Sequence, residues 1–148
     1  MTGVLYGVGL GPGDPELMTL RAHRLIAGAE VLAYPSLAGG ASFARSIAAG
    51  IIPEGAREIV MDVPMTPERA PAQAAYDKGA AEIAAVLEEG RDVVCLCEGD
   101  PFFYGSFMYL FARLSARYRV EVVPGVTSVT TCAARAGMPL AARNERLT

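Results

Sequence analysis

Strand-length apolar runs alternate five times with amphipathic segments of helix length, and this alternation restricts the fold more than any single residue does. The runs are Val4–Leu10, Glu30–Tyr34, Arg57–Val63, Val93–Cys97 and Arg119–Val123. The segments between and after them are Glu16–Gly28, Ala41–Ala49, Pro67–Glu89, Gly105–Ala116 and Val126–Ala136. Val93–Cys97 reads VVCLC, apolar without interruption, as a parallel strand covered on both faces does. Strands that each feed a helix predict a doubly wound, mainly parallel five-stranded α/β sheet with helices on both faces. The punctuation agrees. Gly28, Gly50, Gly90 and Gly137 close helices, Pro35 stops the second strand, and Thr66 with Pro67 opens the long helix. Pro71 delays the regular part of that helix to about Ala72. In the first helix, Leu17, Leu20 and Leu25, with Ala22 and Ile26, fall on one expected buried face.

With 148 residues, 52% of them hydrophobic, the chain has material for one domain and not for two ordinary ones. Residues 1–140 form that domain. The polar tail at 141–148, AARNERLT, reads as the start of a linker to a further domain. No stretch approaches about 20 apolar residues, so no membrane association is expected, and the start MTGVLYGVGL carries no secretion signal. Cys95, Cys97 and Cys132 read as reduced thiols of a cytoplasmic protein. His23 is the single histidine, which leaves too few ligands for a metal site. A net charge of −3, scattered arginines and no basic block give no footprint for nucleic acid.

The stretch GVGLGPGDPELMTL at residues 7–20 invites a phosphate-loop reading, and its spacing refuses one. A dinucleotide fingerprint started from Gly9 meets Asp14 where the third glycine belongs; started from Gly7 it meets Pro12. No Gly-Lys-Ser/Thr follows, so it is not a nucleotide P-loop either. Asp14 and Glu16 occupy the positive potential at the helix start that an anion would otherwise seek. Two readings remain: a tight strand-to-helix turn, or bare backbone that lies close to a bulky ligand.

Two further pieces follow later strands. Glu98-Gly99-Asp100-Pro101-Phe102-Phe103-Tyr104-Gly105 comes directly after the VVCLC strand, where Asp100 is either an ordinary turn residue or part of a site. Its aromatic cluster is equally readable as core. Val123-Pro124-Gly125-Val126-Thr127-Ser128 opens the last helix with capping hydroxyls. In an open parallel sheet all three pieces leave the carboxyl edge, where ligand crevices form.

Taken in order and at this spacing, GVGLGPGDPELMTLRA, EGDPFFYG and VVPGVTSVTTCAARAGMPLA resemble the tetrapyrrole (corrin/porphyrin) methylases over essentially the whole chain. Asp62-Val63-Pro64-Met65-Thr66, Phe103–Phe107 and Asn144-Glu145-Arg146-Leu147-Thr148 resemble most the members that methylate carbon 20 of precorrin-2, giving precorrin-3A in cobalamin biosynthesis. Ser106 and Phe107 stand where the uroporphyrinogen-III enzymes carry an arginine in a Gly-Arg-Gly context. Members acting on cobalt-factor II are the nearest sibling. The resemblance implies the N-terminal domain of a two-domain enzyme, a homodimer, with the methyl donor S-adenosylmethionine folded in the cleft between domains. It maps donor contacts to Pro12, Glu98, Gly99, Asp100, Phe103, Thr127 and Ser128, and the tetrapyrrole side of the cleft to Gly11, Gly13 and Asp14. It assigns no catalytic residue, and methyl transfer from a sulfonium requires none beyond alignment of donor and acceptor. Arg21, Arg45 and Arg143 are candidates to meet the acceptor's carboxylates. Competing readings are a dinucleotide oxidoreductase, a methylase of RNA or protein, and a non-catalytic binding or dimerisation module.

Overall fold

The computed structural model describes residues 1–148. Five strands form one sheet: β1 (Val4–Gly9), β2 (Val31–Leu37), β3 (Arg57–Val63), β4 (Val93–Cys97) and β5 (Arg119–Val123). The helices between and after them are α1 (Leu20–Ala27), α2 (Phe43–Ala48), α3 (Arg69–Glu88), α4 (Phe107–Leu114) and α5 (Ser128–Ala136). The strand order is β3-β2-β4-β1-β5 and every pairing is parallel. The sheet is thus the expected doubly wound α/β arrangement. No helix is long and apolar enough to cross a membrane.

Two cores result, one on each face. From β1 the chain moves outward through β2 to β3, placing α1 and α2 on one face, where Ala22, Ile26, Ala44 and Ile47 pack against Val8, Leu32, Val94 and Leu96. It then returns across the sheet through α3 and α4. With right-handed crossovers, that reversal puts Ile83, Val86, Phe107 and Leu110 on the opposite face, against Leu5, Ala33, Cys95 and Cys97. Alternate residues of β4 therefore serve alternate cores, which is why VVCLC is apolar throughout. Helix α5 follows β5 and buries none of its residues.

Four local expectations change. The segment after the glycine loop starts as a single 3-10 turn, Pro15–Leu17, capped by Asp14, which accepts a hydrogen bond from the Glu16 amide. Helix α1 starts only at Leu20, capped by Thr19, so Leu17 belongs to a different helical register and Leu20 is 90% exposed. Pro35 does not stop β2; it lies within it, beyond Leu32 and Ala33, the residues paired to β4. There the strand has β3 alone as neighbour, and a residue without an N–H is tolerated. Helix α3 begins at Arg69 with Glu68 as cap, while the Thr66 hydroxyl donates to the Glu68 carbonyl. Pro71 sits in its first turn, where an amide would have no intrahelical partner anyway.

A clasp joins α2 to the outer strands. Arg45 donates to both Glu58 carboxylate oxygens, at 2.7 and 2.9 Å, and the Tyr34 hydroxyl donates to the same carboxylate. The Arg45 and Tyr34 hydrogen bonds hold the Glu58 carboxyl below the ordinary carboxylate range. A lowered carboxylate stabilises the fold above its unfolded pKa of about 4.3 and loses that effect as pH falls through the folded value. Urea unfolding at pH 7 and pH 3 should show wild type more stable than Glu58→Gln at pH 7, with the gap narrowing at pH 3. A gap independent of pH would contradict the clasp.

Candidate active site

The crossover reversal places a switch point between β1 and β4, because the helix after β1 covers one face and the helix after β4 covers the other. Crevices open at the carboxyl ends of such strand pairs. Two loops meet across it: Gly11 and Gly99 form an antiparallel bridge, the Gly99 amide donating to the Gly11 carbonyl at 2.8 Å and the Gly11 amide to Gly99 at 3.2 Å. The loop after β5 closes in from the other side of β1. A Cβ on Gly9 would lie 2.7 Å from the Gly125 Cα, and one on Gly125 only 2.0 Å from the Gly99 carbonyl oxygen. Three chain segments touch backbone to backbone, and no side chain fits between them. Much of the glycine content of these motifs therefore serves contact within the chain.

Asp100 locks this contact. Its Oδ1 accepts from the Phe102 amide at 2.9 Å and its Oδ2 from the Gly125 amide at 3.0 Å. The carboxylate thus ties the β4 loop to itself and to the β5 loop.

The other expected site residues distribute around this knot. Pro12, Asp14 and Ser128 line one groove of about 270 Å³, together with Leu17, Thr131, Cys132 and Arg135. The Thr127 hydroxyl caps α5, accepting from the Thr130 amide at 3.4 Å. Gly13 faces the Phe43 ring. Glu98 is exposed and lines a separate cavity of about 160 Å³ with Pro35, Cys97, Tyr104, Gly105 and Ser106. Phe103 stands half-exposed and edge-on to Tyr104, and Phe102 packs edge-on to Phe111. The aromatic cluster is therefore not simply core. The structure gathers Pro12, Asp14 and Ser128 in one place and Glu98 in another, with Gly11, Gly99 and Asp100 forming the join.

The arginines separate clearly. Arg21 is paired with Glu121 at 2.6 Å and Arg45 is held by Glu58, while Arg143 lies in the exposed tail. Arg135, which the sequence did not single out, is 3.9 Å from Asp14 and lines the same groove as Pro12. Helical spacing could have found it: Ser128, Thr131, Cys132 and Arg135 follow i, i+3, i+4, i+7 and share one face of α5. Burial pushes the Cys97 thiol well up, so it is no nucleophile at neutral pH.

Asp100→Asn is the isosteric test of the clamp. One of the two facing amides then meets an NH₂ donor, and the loss should be about 1–3 kcal/mol in urea unfolding. Unchanged stability would mean that the carboxylate does not hold the loops.

The family profile described as Tetrapyrrole (Corrin/Porphyrin) Methylases matches residues 4–148. Cobalamin biosynthesis protein CobIJ of Mycobacterium tuberculosis is 44% identical over 98% of this chain and 30% of its own length. A precorrin-2 C(20)-methyltransferase of a Sinorhizobium species is 42% identical over 93% of this chain and 60% of its own. The chain therefore spans less than two thirds of either relative. Among solved structures, a uroporphyrin-III C-methyltransferase of Thermus thermophilus, complexed with S-adenyl homocysteine, superposes with a TM-score of 0.64 at 29% identity. That match covers 96% of this chain and 51% of the other. The chain belongs to the tetrapyrrole (corrin/porphyrin) methylases.

Proposed function

We propose that this chain is the donor-binding part of an S-adenosylmethionine-dependent methyltransferase that methylates carbon 20 of precorrin-2. The observation that carries the reading is the join of Gly11, Gly99 and Gly125 at the β1–β4 switch point, with the Pro12–Ser128 groove beside it. The reading makes Pro12, Glu98, Gly99, Asp100, Phe103, Thr127 and Ser128 the donor side, and Gly11, Gly13 and Asp14 the acceptor side. It also makes the enzyme a cytoplasmic homodimer whose cleft is completed by a second domain.

The groove's chemistry suits such a donor. Pro12 and Leu17 offer apolar surface and Ser128 and Thr131 offer hydroxyls, while Asp14, on the acceptor side of the same groove, faces Arg135 at 3.9 Å. The donor supplies an electrophilic methyl group. The chain's residues align it with an electron-rich acceptor carbon for in-line displacement, a positioning task that needs no protein nucleophile. The single histidine and the buried, high-pKa thiol of Cys97 accord with that. Ser106, in place of the arginine of the uroporphyrinogen-III enzymes, argues against uroporphyrinogen III as the acceptor.

The protein as its gene encodes it, incubated with S-adenosylmethionine and precorrin-2, should yield a product heavier by one methyl group in mass spectrometry. Methylation of uroporphyrinogen III with precorrin-2 left unchanged would overturn the acceptor assignment, and exclusive use of the cobalt-bearing macrocycle would move it to the sibling reaction. Calorimetry with S-adenosylhomocysteine tests the donor side separately; wild type should bind it.

A further inference from the structure

Tyr104 is the one non-glycine residue with a left-handed backbone, φ 53°, and it is 95% exposed. That conformation is disfavoured for any residue with a Cβ, and bulky side chains rarely adopt it. The neighbouring position sharpens the point. A Cβ on Gly105 would lie 2.4 Å from the Pro101 carbonyl oxygen, so glycine is required there for space. Two successive positions therefore favour glycine, one for room and one for backbone conformation, and only the first carries it. At the second the chain accepts strain and places a large ring in solvent.

Nothing within the chain accounts for that ring. Its aromatic neighbour is Phe103, met edge-on at 5.1 Å and 77°, which leaves the Tyr104 face free. Phe102 and Phe103 are themselves 46% and 50% exposed, so three consecutive rings form an apolar apron at the carboxyl end of β4. Tyr104 also lines the cavity shared by Pro35 of β2, Glu98 and Ser106, whereas Pro12 and Ser128 line the other groove, beside β1 and β5. Glu98 matters to what can lie there. Its carboxylate repels an acidic fringe but accepts hydrogen bonds from ring N–H groups. The surface thus fits the conjugated centre of a flat macrocycle bearing N–H groups, and not its carboxylate periphery.

We propose that the strained backbone at Tyr104 displays its ring to stack on the flat tetrapyrrole acceptor, making Tyr104 a determinant of acceptor affinity. The inference rests on the methyltransferase reading above. It places the acceptor's conjugated face over β4 on the β2 side, taking Glu98 and Phe103 over from the donor side of that reading, with the donor on the β1–β5 side beside Pro12 and Ser128. An aromatic face meeting a conjugated ring in an offset or edge arrangement gains beyond the area it buries.

The test uses Tyr104→Gly and Tyr104→Phe in the protein as its gene encodes it, with steady-state kinetics in each substrate and thermal melts. Glycine relieves the left-handed strain, so Tyr104→Gly should melt no lower than wild type. Its KM for the tetrapyrrole should rise about tenfold, the scale of one aromatic stacking contact. Its KM for S-adenosylmethionine should stay at the wild-type value, and Tyr104→Phe should restore the tetrapyrrole KM. A lowered melting temperature for Tyr104→Gly would mean that the ring packs against the protein itself, and would overturn the proposal. So would an unchanged tetrapyrrole KM, or a rise confined to the donor, which would put the ring against the donor's adenine. A wild type that methylates no tetrapyrrole sinks the parent reading and this inference together; an active wild type indifferent to Tyr104→Gly sinks this inference alone.

Discussion

The backbone contact among Gly9, Gly99 and Gly125 is the constraint on which the carboxyl edge of the sheet depends. Three loops from three adjacent strands can converge there only because none presents a side chain to the others. Convergence without side chains gives little apolar burial, so the loops need polar bonds to stay together. The Gly11–Gly99 bridge and the two amides received by Asp100 supply them. The groove beside Pro12 and the cavity beside Glu98 are the spaces left on either side of this knot.

This arrangement separates two demands that a binding edge usually sets against each other. The rigid part is made of backbone and one carboxylate, which tolerate little change. The side chains that face outward, Glu98, Phe103, Tyr104, Ser128 and Arg135, are exposed and carry little of the fold. Substitution among them can alter what is bound while the frame stays fixed. Asp100 belongs to the frame by its hydrogen bonds, even though its motif reads like a ligand site.

The sequence made much of this legible, for identifiable reasons. The bounds expected for the third, fourth and fifth strands coincide with those of the structure, because Arg57–Val63 lies between Gly55 and Pro64, Val93–Cys97 between Gly90 and Gly99, and Arg119–Val123 ends at Pro124. The three site motifs were legible as a set because a parallel sheet sends every strand-to-helix loop to one edge. Strand order was not legible, since no local pattern says that β4 inserts between β2 and β1. Pro35 misled because a proline's tolerance depends on which neighbour a strand has at that residue, a tertiary fact. Leu20 misled because Asp14 and Pro15 nucleate a separate 3-10 turn that breaks the helical phase. Arg135 went unnoticed because its partner Asp14 lies at the far end of the chain, across a groove that local sequence does not announce.

The strand order also sets a timetable. The amide of Val4, at the start of β1, bonds Asp92, 88 residues later, and both of β1's neighbours, β4 and β5, come from the second half of the chain. β2 and β3 can pair early across a short connection. The first strand cannot, and Val4–Gly9 waits with both edges open until residues 93–123 have been made. Such a segment is a template for pairing with another chain while it waits. The two glycines within it, Gly7 and Gly9 of VLYGVG, dilute the strand-forming character that makes such pairing persist. Gly9, which lets the finished edge close, and Gly7, which makes room for the Phe107 ring, also leave the newborn strand a poor seed for aggregation.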